Sequence, residues 1–448
     1  MGRRSHTQKL IVWLNGTPVG EWSHAPGRNA FGYFDEWLAD PQARPISLSL
    51  PFRPNNEIYS GDLVSSYFDN LLPDSDLIRR RIAQRFQVNG VDPFHLLAAV
   101  GRDCAGAIQL LPPGEEPTNL FSIAGKPLNE PAIAQLIRDT AGKALPGRDD
   151  ENNDLRLSIA GAQEKTALLR NKNKWLLPTG STPTTHILKL PLGLVGNMQA
   201  DMRTSVENEW LCSKIMEAYG LPAAQCDIGN FEDQKVLVVE RFDRKFSDDK
   251  SWIARFPQED FCQATGTSPL RRYQADGGPG VIKIMEILSG SEQSGLDRQR
   301  FFKTQILFWL LVATDGHAKN FSIFHLPGSQ YRATPLYDIL SAHPVIGGGK
   351  NQLAPQKVKL AMAIRGTENH YKIAEIQRRH WGEMARQVGL GERVAESMVE
   401  EVVAQTNGVV DAMQRMLPDD FPIDLADSIL GGMQRQCKKL QMQKTKIK

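Results

Sequence analysis

Asp315-Gly316-His317-Ala318-Lys319-Asn320 is followed, eighteen residues after Asn320, by Asp338 in the turn-like stretch 334–338. An aspartate that can accept a hydroxyl proton, an asparagine after four intervening residues and a later aspartate as a metal ligand are the residue vocabulary of phosphoryl transfer. Asp315, Asn320 and Asp338 match those roles in order and spacing, with Asn320 and Asp338 as the expected magnesium ligands. Taken alone, the same set also suits one metal in a phosphatase or nuclease, or a polar turn. What shifts the balance lies upstream.

Lys189 is a single cation in the apolar run 186–191. A lone buried ammonium costs several kcal/mol unless a fixed anion compensates it. A nucleotide phosphate is such an anion, with Glu209 or Glu207 on the next helical stretch as the carboxylate that orients the lysine. An exposed strand face is the plainer alternative. The run 236–239 leads directly into Glu240, Arg241 and Phe242, whose order suits a hinge offering backbone groups to an adenine edge. Residues 158–165 contain one glycine, Gly161, and fit neither common phosphate-loop motif. Ala160, Gly161, Ala162, Gln163, Glu164 and Lys165 still form a candidate phosphate contact, although spacing alone favours a plain turn. His317 is expected to orient the 315–320 loop.

The rest of the chain divides by period. Asn15-Gly16 between apolar runs signals a hairpin. Residues 46–50 alternate like a strand, and 67–72 and 77–86 read as helices, the latter carrying Arg79, Arg80 and Arg81 toward solvent. Pro112-Pro113-Gly114 closes a first segment, 1–114. The second, 115–244, holds a helix over 131–142, a polar loop over 147–154 and strands at 155–159, 166–169, 175–177, 185–190 and 236–239, with a helix over 205–219. The third, 245–448, is mostly helical, with apolar stripes over 281–288, 298–314, 373–388, 394–410 and 423–442. Gly347-Gly348-Gly349 marks a loop expected to move.

With 41% hydrophobic and 23% charged residues, long disordered tracts are not expected, and a net charge of +2 argues against a surface given wholly to nucleic acid. The five scattered cysteines make neither a disulfide framework nor a zinc spacing, and the nine histidines form no cluster in sequence, so no zinc site is expected. Reduced thiols, no signal-like run and no long apolar segment lead to a cytoplasmic expectation. Trp13, Trp22 and Trp37 are expected to pack in a core. From Ser428 onward the chain has no acidic residue, while Arg435, Lys438, Lys439, Lys444, Lys446 and Lys448 are cationic. A solvated helix end is the plainer reading of that tail, and phosphate contact the alternative.

Residues 158–167, 184–191, 240–244, 257–260 and 313–322, together with 47–51, 68–74 and 101–103, resemble the HipA family of serine/threonine kinase toxins across almost the whole chain. The resemblance implies an α+β, two-lobed protein-kinase-like fold, with a mixed α/β N-terminal lobe and a mainly α-helical C-terminal lobe. It implies ATP and magnesium in the cleft, Asp315 as the catalytic residue, Asn320 and Asp338 on metal, Lys189 on phosphate and 240–242 at the adenine. It adds Ser158 as a site of autophosphorylation that ejects the phosphate loop. It further implies a HipB-like helix-turn-helix antitoxin, operator DNA reached through that complex, and glutamyl-tRNA synthetase as the protein substrate. The basic tail and Arg79–Arg81 then become candidate DNA or partner surfaces. A regulatory module without catalysis and a metal-dependent phosphohydrolase are the rival readings.

Overall fold

The computed structural model describes residues 7–142, 157–196 and 199–443. Strands Gln8–Leu14 and Thr17–Ala25 join through Asn15 and Gly16, whose φ values of 47° and 88° are those of a two-residue turn matching strand twist. They belong to a five-stranded antiparallel sheet in the order Tyr59–Ser60, Arg28–Tyr33, Thr17–Ala25, Gln8–Leu14, Ile108–Leu111. Helices Asp62–Asp69, Asp76–Arg85 and Pro93–Val100 pack apolar residues into the same core. All three tryptophans of this part are buried, and Trp22 stacks on Phe68 at 4.0 Å.

Two expectations for this part need correction. Residues 46–50 form turns, not a strand. Their polar groups bond to side chains and backbone elsewhere in the chain: Ser47 Oγ donates to Glu259 Oε2 at 2.6 Å, Leu48 N to Glu259 Oε1 at 2.8 Å and Ser49 Oγ to Gln263 O at 2.7 Å. The alternation of serine and leucine therefore reflects a clasp with no ladder to join. Arg79 and Arg81 do not face solvent. Arg79 is buried, pairing with Asp69 at 2.6 Å and donating to Pro73 O at 2.6 Å, while Arg81 pairs with Glu164. Only Arg80 of the three is exposed.

A six-stranded antiparallel sheet follows, ordered Cys226–Phe231, Gln234–Glu240, His186–Lys189, Lys165–Asn171, Lys174–Pro178, Gly125–Leu128. Helix Glu130–Ala141 packs Ile133, Leu136 and Ile137 against Leu168, Leu188 and Val236. Helix Ser205–Ala218 joins the larger core with Leu237 and Val239. The sheet is thus held between two helices, and the strand carrying Lys189 is an interior one. Of the strand expected at 155–159, Leu157–Ser158 is a strand and Ile159 is not, while 155–156 and the polar stretch 147–154 lie outside the described residues, as do Lys444, Lys446 and Lys448.

The remaining part contains helices Val281–Leu288, Ser294–Leu311, Arg378–Gln387, Glu392–Met416 and Ile423–Met442 around one core. It is less helical than its periodicity predicts. A three-stranded sheet of Gln258–Asp260, Ser322–His325 and Tyr331–Ala333 and the hairpin Lys359–Arg365 with Asn369–Lys372 lie within it. Strands of three or four residues are too short to display a two-residue period, and 360–364 is buried throughout, so it does not alternate. The helix expected from 373 begins at Arg378, after the one-turn helix Ile373–Glu375. In the glycine run, Gly347 N donates to Leu353 O at 3.0 Å and Gly349 N to Gln352 Oε1 at 2.9 Å. Among the described residues, no helix is long and apolar enough to cross a membrane. All five cysteines are free and buried.

Candidate active site

Between the six-stranded sheet and the helical part lies a cleft of about 200 Å³ lined by Lys165, Lys189, Asp315, His317, Asn320 and Asp338 among others. A larger cavity of 380 Å³ sits between helix Ser294–Leu311 and the segment 332–336. Its buried carboxylate, Asp297, is already committed to Ser291, Gln293 and the amide of Ala333. The chemistry therefore gathers in the smaller space.

Lys189 is 5% exposed and donates to Glu209 Oε1 at 2.6 Å and to Asp338 Oδ1. The helix carboxylate that orients it is thus Glu209; Glu207 pairs instead with Lys235 at 2.6 Å. Asp338 takes a left-handed backbone (φ 56°), which aspartate tolerates better than most residues. Across the ladder Lys189 pairs with Lys165, so both side chains leave the same face of the sheet. Burial, then the neighbouring Lys189 charge, brings the Lys165 amine down to about 7, and its Nζ donates to Ala160 O at 2.6 Å. Burial likewise pushes Asp260, another cleft residue, up to about 7.

The 315–320 loop is tied together internally. Asn320 Nδ2 donates to Asp315 O at 2.7 Å, so its amide oxygen remains for another partner. The Asp315 carboxylate is more than half exposed and accepts from the Tyr273 hydroxyl. Arg272 Nε donates to His317 Nε2 at 3.1 Å, which makes that nitrogen an acceptor and the ring neutral. Burial also lowers the His317 pKa. The His317 ring is thus tied to Arg272, outside the 315–320 loop. The residue before the loop's entry, Val312, is a β-branched residue in left-handed conformation (φ 51°) at the end of helix Ser294–Leu311, a costly geometry held by tertiary packing.

The other expected contacts divide. Ile159 to Gln163 line the cleft, with Gly161 at φ 111° and its carbonyl accepting from Asp74 N at 3.0 Å. Gln163 Nε2 is given to Leu190 O, and the Glu164 side chain turns away to Arg81. Ser158 does not line the cleft: it is fully buried, and its hydroxyl donates to the carbonyl of Leu71, a lining residue, at 2.8 Å. Glu240 and Phe242 line the hinge side, but the Arg241 guanidinium points elsewhere. It makes two bonds to Asp243, at 3.0 and 2.9 Å, and further ones to Thr184 Oγ1 and Cys104 O. Only the Arg241 backbone is left for the cleft.

Sequence reasoning missed Asp74, Tyr273, Arg272 and Asp260. Lys319 Nζ pairs with Asp74 at 2.6 Å, both nearly fully buried, and so fixes the loop to the N-terminal part. Burial opposes the Asp74 charge, but Lys319, then Arg272, hold its carboxyl below the usual range. The stretch 68–74 carries a family resemblance, yet no spacing in the chain couples it to residue 319.

A strand lysine paired to a helix glutamate, facing an Asp, Asn and Asp set across a cleft between a sheet and a helical bundle, defines a kinase-like two-lobed protein. Comparison with known proteins agrees. A family profile described as HipA-like C-terminal domain matches residues 157–410, and one described as HipA N-terminal domain matches 10–111. Y4mE of Sinorhizobium fredii, a provisionally named kinase, is 33% identical over 439 residues, covering 94% of this chain and 97% of that protein. The serine/threonine-protein kinase toxin HipA of Shewanella oneidensis is 28% identical over 348 residues, covering 75% of each. The solved complex of HipA, HipB and operator DNA from Shewanella oneidensis shares the fold, with a TM-score of 0.78 at 22% identity and 97% coverage of both chains. The chain belongs to the HipA family.

Proposed function

We propose that this chain is a serine/threonine-protein kinase of a toxin-antitoxin module, moving the ATP γ-phosphoryl group to a protein serine. The observation that carries the reading is the meeting of Lys189, Glu209 and Asp338 with Asp315 and Asn320 in one cleft. Asp315, exposed and unencumbered by a cation, accepts the proton of the acceptor hydroxyl. Lys189, already desolvated and aimed by Glu209, gives its ammonium hydrogens to the nucleotide phosphates, which compete for them with Asp338. The Asn320 amide oxygen and the Asp338 carboxylate are hard oxygen donors, the class that suits magnesium. Magnesium bound there supplies neutralisation of phosphate charge. Residues 159–163 offer backbone groups to the phosphates, and 240–242 offer them to the adenine.

Self-modification at Ser158 fits the same account, because its hydroxyl is sealed under Leu71 and becomes reachable only when the loop leaves the cleft. A phosphoserine of about −2 charge has no place in that buried position, so modification keeps the loop out. The proposed acceptor protein is glutamyl-tRNA synthetase, and the proposed partners are a HipB-like antitoxin and, through it, operator DNA. Incubation with magnesium, labelled ATP and glutamyl-tRNA synthetase tests the reading. Label on a synthetase serine supports it. Free phosphate without protein label favours a phosphohydrolase, and neither product favours a regulatory module.

A further inference from the structure

The strand Thr17–Ala25 and the start of helix Pro93–Val100 bring together three side chains that take no part in phosphoryl transfer: His24, Asp92 and His95. One ligating atom of each lies within 4.8 Å of the other two. His95 Nδ1 and Asp92 Oδ1 are 3.1 Å apart. That is close to the spacing of neighbouring donors on one tetrahedral cation with bonds of about 2.0–2.1 Å.

Hydrogen bonding fixes the His24 ring for ligation. The Trp22 indole nitrogen can only donate, so the Asn29 atom it meets at 3.1 Å is the amide oxygen. The same oxygen lies 3.1 Å from His24 Nδ1 and must accept from it. The ring proton is therefore on Nδ1, and the Nε2 lone pair is free to ligate. Stacking on Phe94 (4.9 Å, 18°) holds the ring, and His95 meets it edge-on (5.5 Å, 84°). An outer acceptor on the far ring nitrogen is what orients metal-binding imidazoles. Asp92 is fixed as well, its Oδ1 accepting from Phe94 N at 3.0 Å and His95 N at 3.4 Å. Helix capping explains Asp92 and its contact with His95, but it does not explain the buttressed His24.

We propose that His24, Asp92 and His95 form a zinc-class metal site in the N-terminal part, with a fourth position open to water or to a ligand from a partner. Two imidazoles and one carboxylate favour a borderline transition cation over magnesium or calcium, which take oxygen ligands. None of the three lines the ATP cleft, so the two sites sort by ligand type. The bound ion would stitch the hairpin to the helix and stabilise the folded chain by mass action. The sequence hides the set because its members lie on segments far apart.

The test is a titration of the full chain, stripped with chelator and held in saturating magnesium, with zinc chloride against a competing chromophoric chelator. The parent is expected to bind one equivalent and to melt at a higher temperature with zinc than without. His24→Gln, His95→Gln and Asp92→Asn should each weaken binding at least tenfold and lose the zinc-dependent melting shift. Asp92→Asn keeps the helix cap, and metal-free melting confirms that each variant is folded. Equal zinc binding by the His24→Gln/His95→Gln double variant, or binding by the parent only at millimolar zinc, overturns the proposal.

Discussion

Replacing Asp103 should loosen the join between the N-terminal part and the hinge. Asp103 is 7% exposed and accepts from Thr184 N at 3.0 Å, Thr184 Oγ1 at 2.7 Å, Arg241 Nη1 at 3.3 Å and Arg244 Nη2 at 2.8 Å, with Arg255 Nε at 3.7 Å. Three buried guanidiniums, of Arg241, Arg244 and Arg255, thus share two carboxylates, Asp103 and Asp243. Asp103→Ala leaves three cations around one carboxylate. Stripping one partner from a buried ion pair costs about 3–5 kcal/mol, a large share of the roughly 5–15 kcal/mol that holds a domain together. Asp103→Asn keeps the shape and the Thr184 contacts but loses the charge, so about 2–3 kcal/mol is expected. Burial opposes the Asp103 charge, yet the three arginines hold its carboxyl far below the unfolded value of about 3.9. A depressed carboxyl stabilises fully above the unfolded pKa and loses that effect as pH falls toward the folded one. The gap between parent and Asp103→Asn in urea unfolding should therefore be constant from about pH 7 to 5 and narrow below about pH 4. Adding Arg255→Met to Asp103→Asn removes one of the two surplus cations and should recover part of the loss. A gap under about 1 kcal/mol at pH 7, or one that does not change down to pH 3, refutes the reasoning.

Other perturbations probe the cleft. Lys189→Met should cut ATP-dependent protein labelling at least about 100-fold, since it removes a preorganised cation, and calorimetry should show weaker ATP binding. Lys165→Met should stabilise the chain below pH 7, where the buried amine is forced to carry charge. The lowered folded pKa makes parent stability rise with pH from about 7 toward the unfolded value near 10.4, so the difference should close in urea titrations at pH 6, 8 and 10. Ser158→Asp places a charge in a fully buried position and should expose residues 157–165 to limited proteolysis while weakening ATP binding at least about tenfold.

Local chemistry was the legible part of the sequence. Asn15-Gly16 specifies its turn through backbone preference alone, and helices Val281–Leu288 and Ile423–Met442 match their apolar stripes, each starting after a residue, Gly280 or Pro422, that interrupts the pattern. Lys189 stood out because a charge in an apolar strand demands a partner, and Glu209 supplies it. What could not be read were pairings set by the whole fold. Arg241 sits where a hinge contact was expected, but its guanidinium is taken by Asp243 together with Asp103 and the Cys104 carbonyl far upstream. The serine–leucine alternation at 46–50 has the period of a strand, yet the Glu259 carboxylate bonds it into turns. Lys319 meets Asp74 across 245 positions, a distance that no local pattern encodes.

Intact-mass and fragment spectrometry of the purified chain and of Asp315→Ala, each incubated with magnesium and ATP from an unphosphorylated state, tests the central claim most directly. The account predicts one phosphate on Ser158 in the parent and none in Asp315→Ala, with ATP still bound by both. Phosphate on Ser158 of Asp315→Ala with no other kinase present, or a parent that binds ATP and labels neither itself nor any protein, contradicts it.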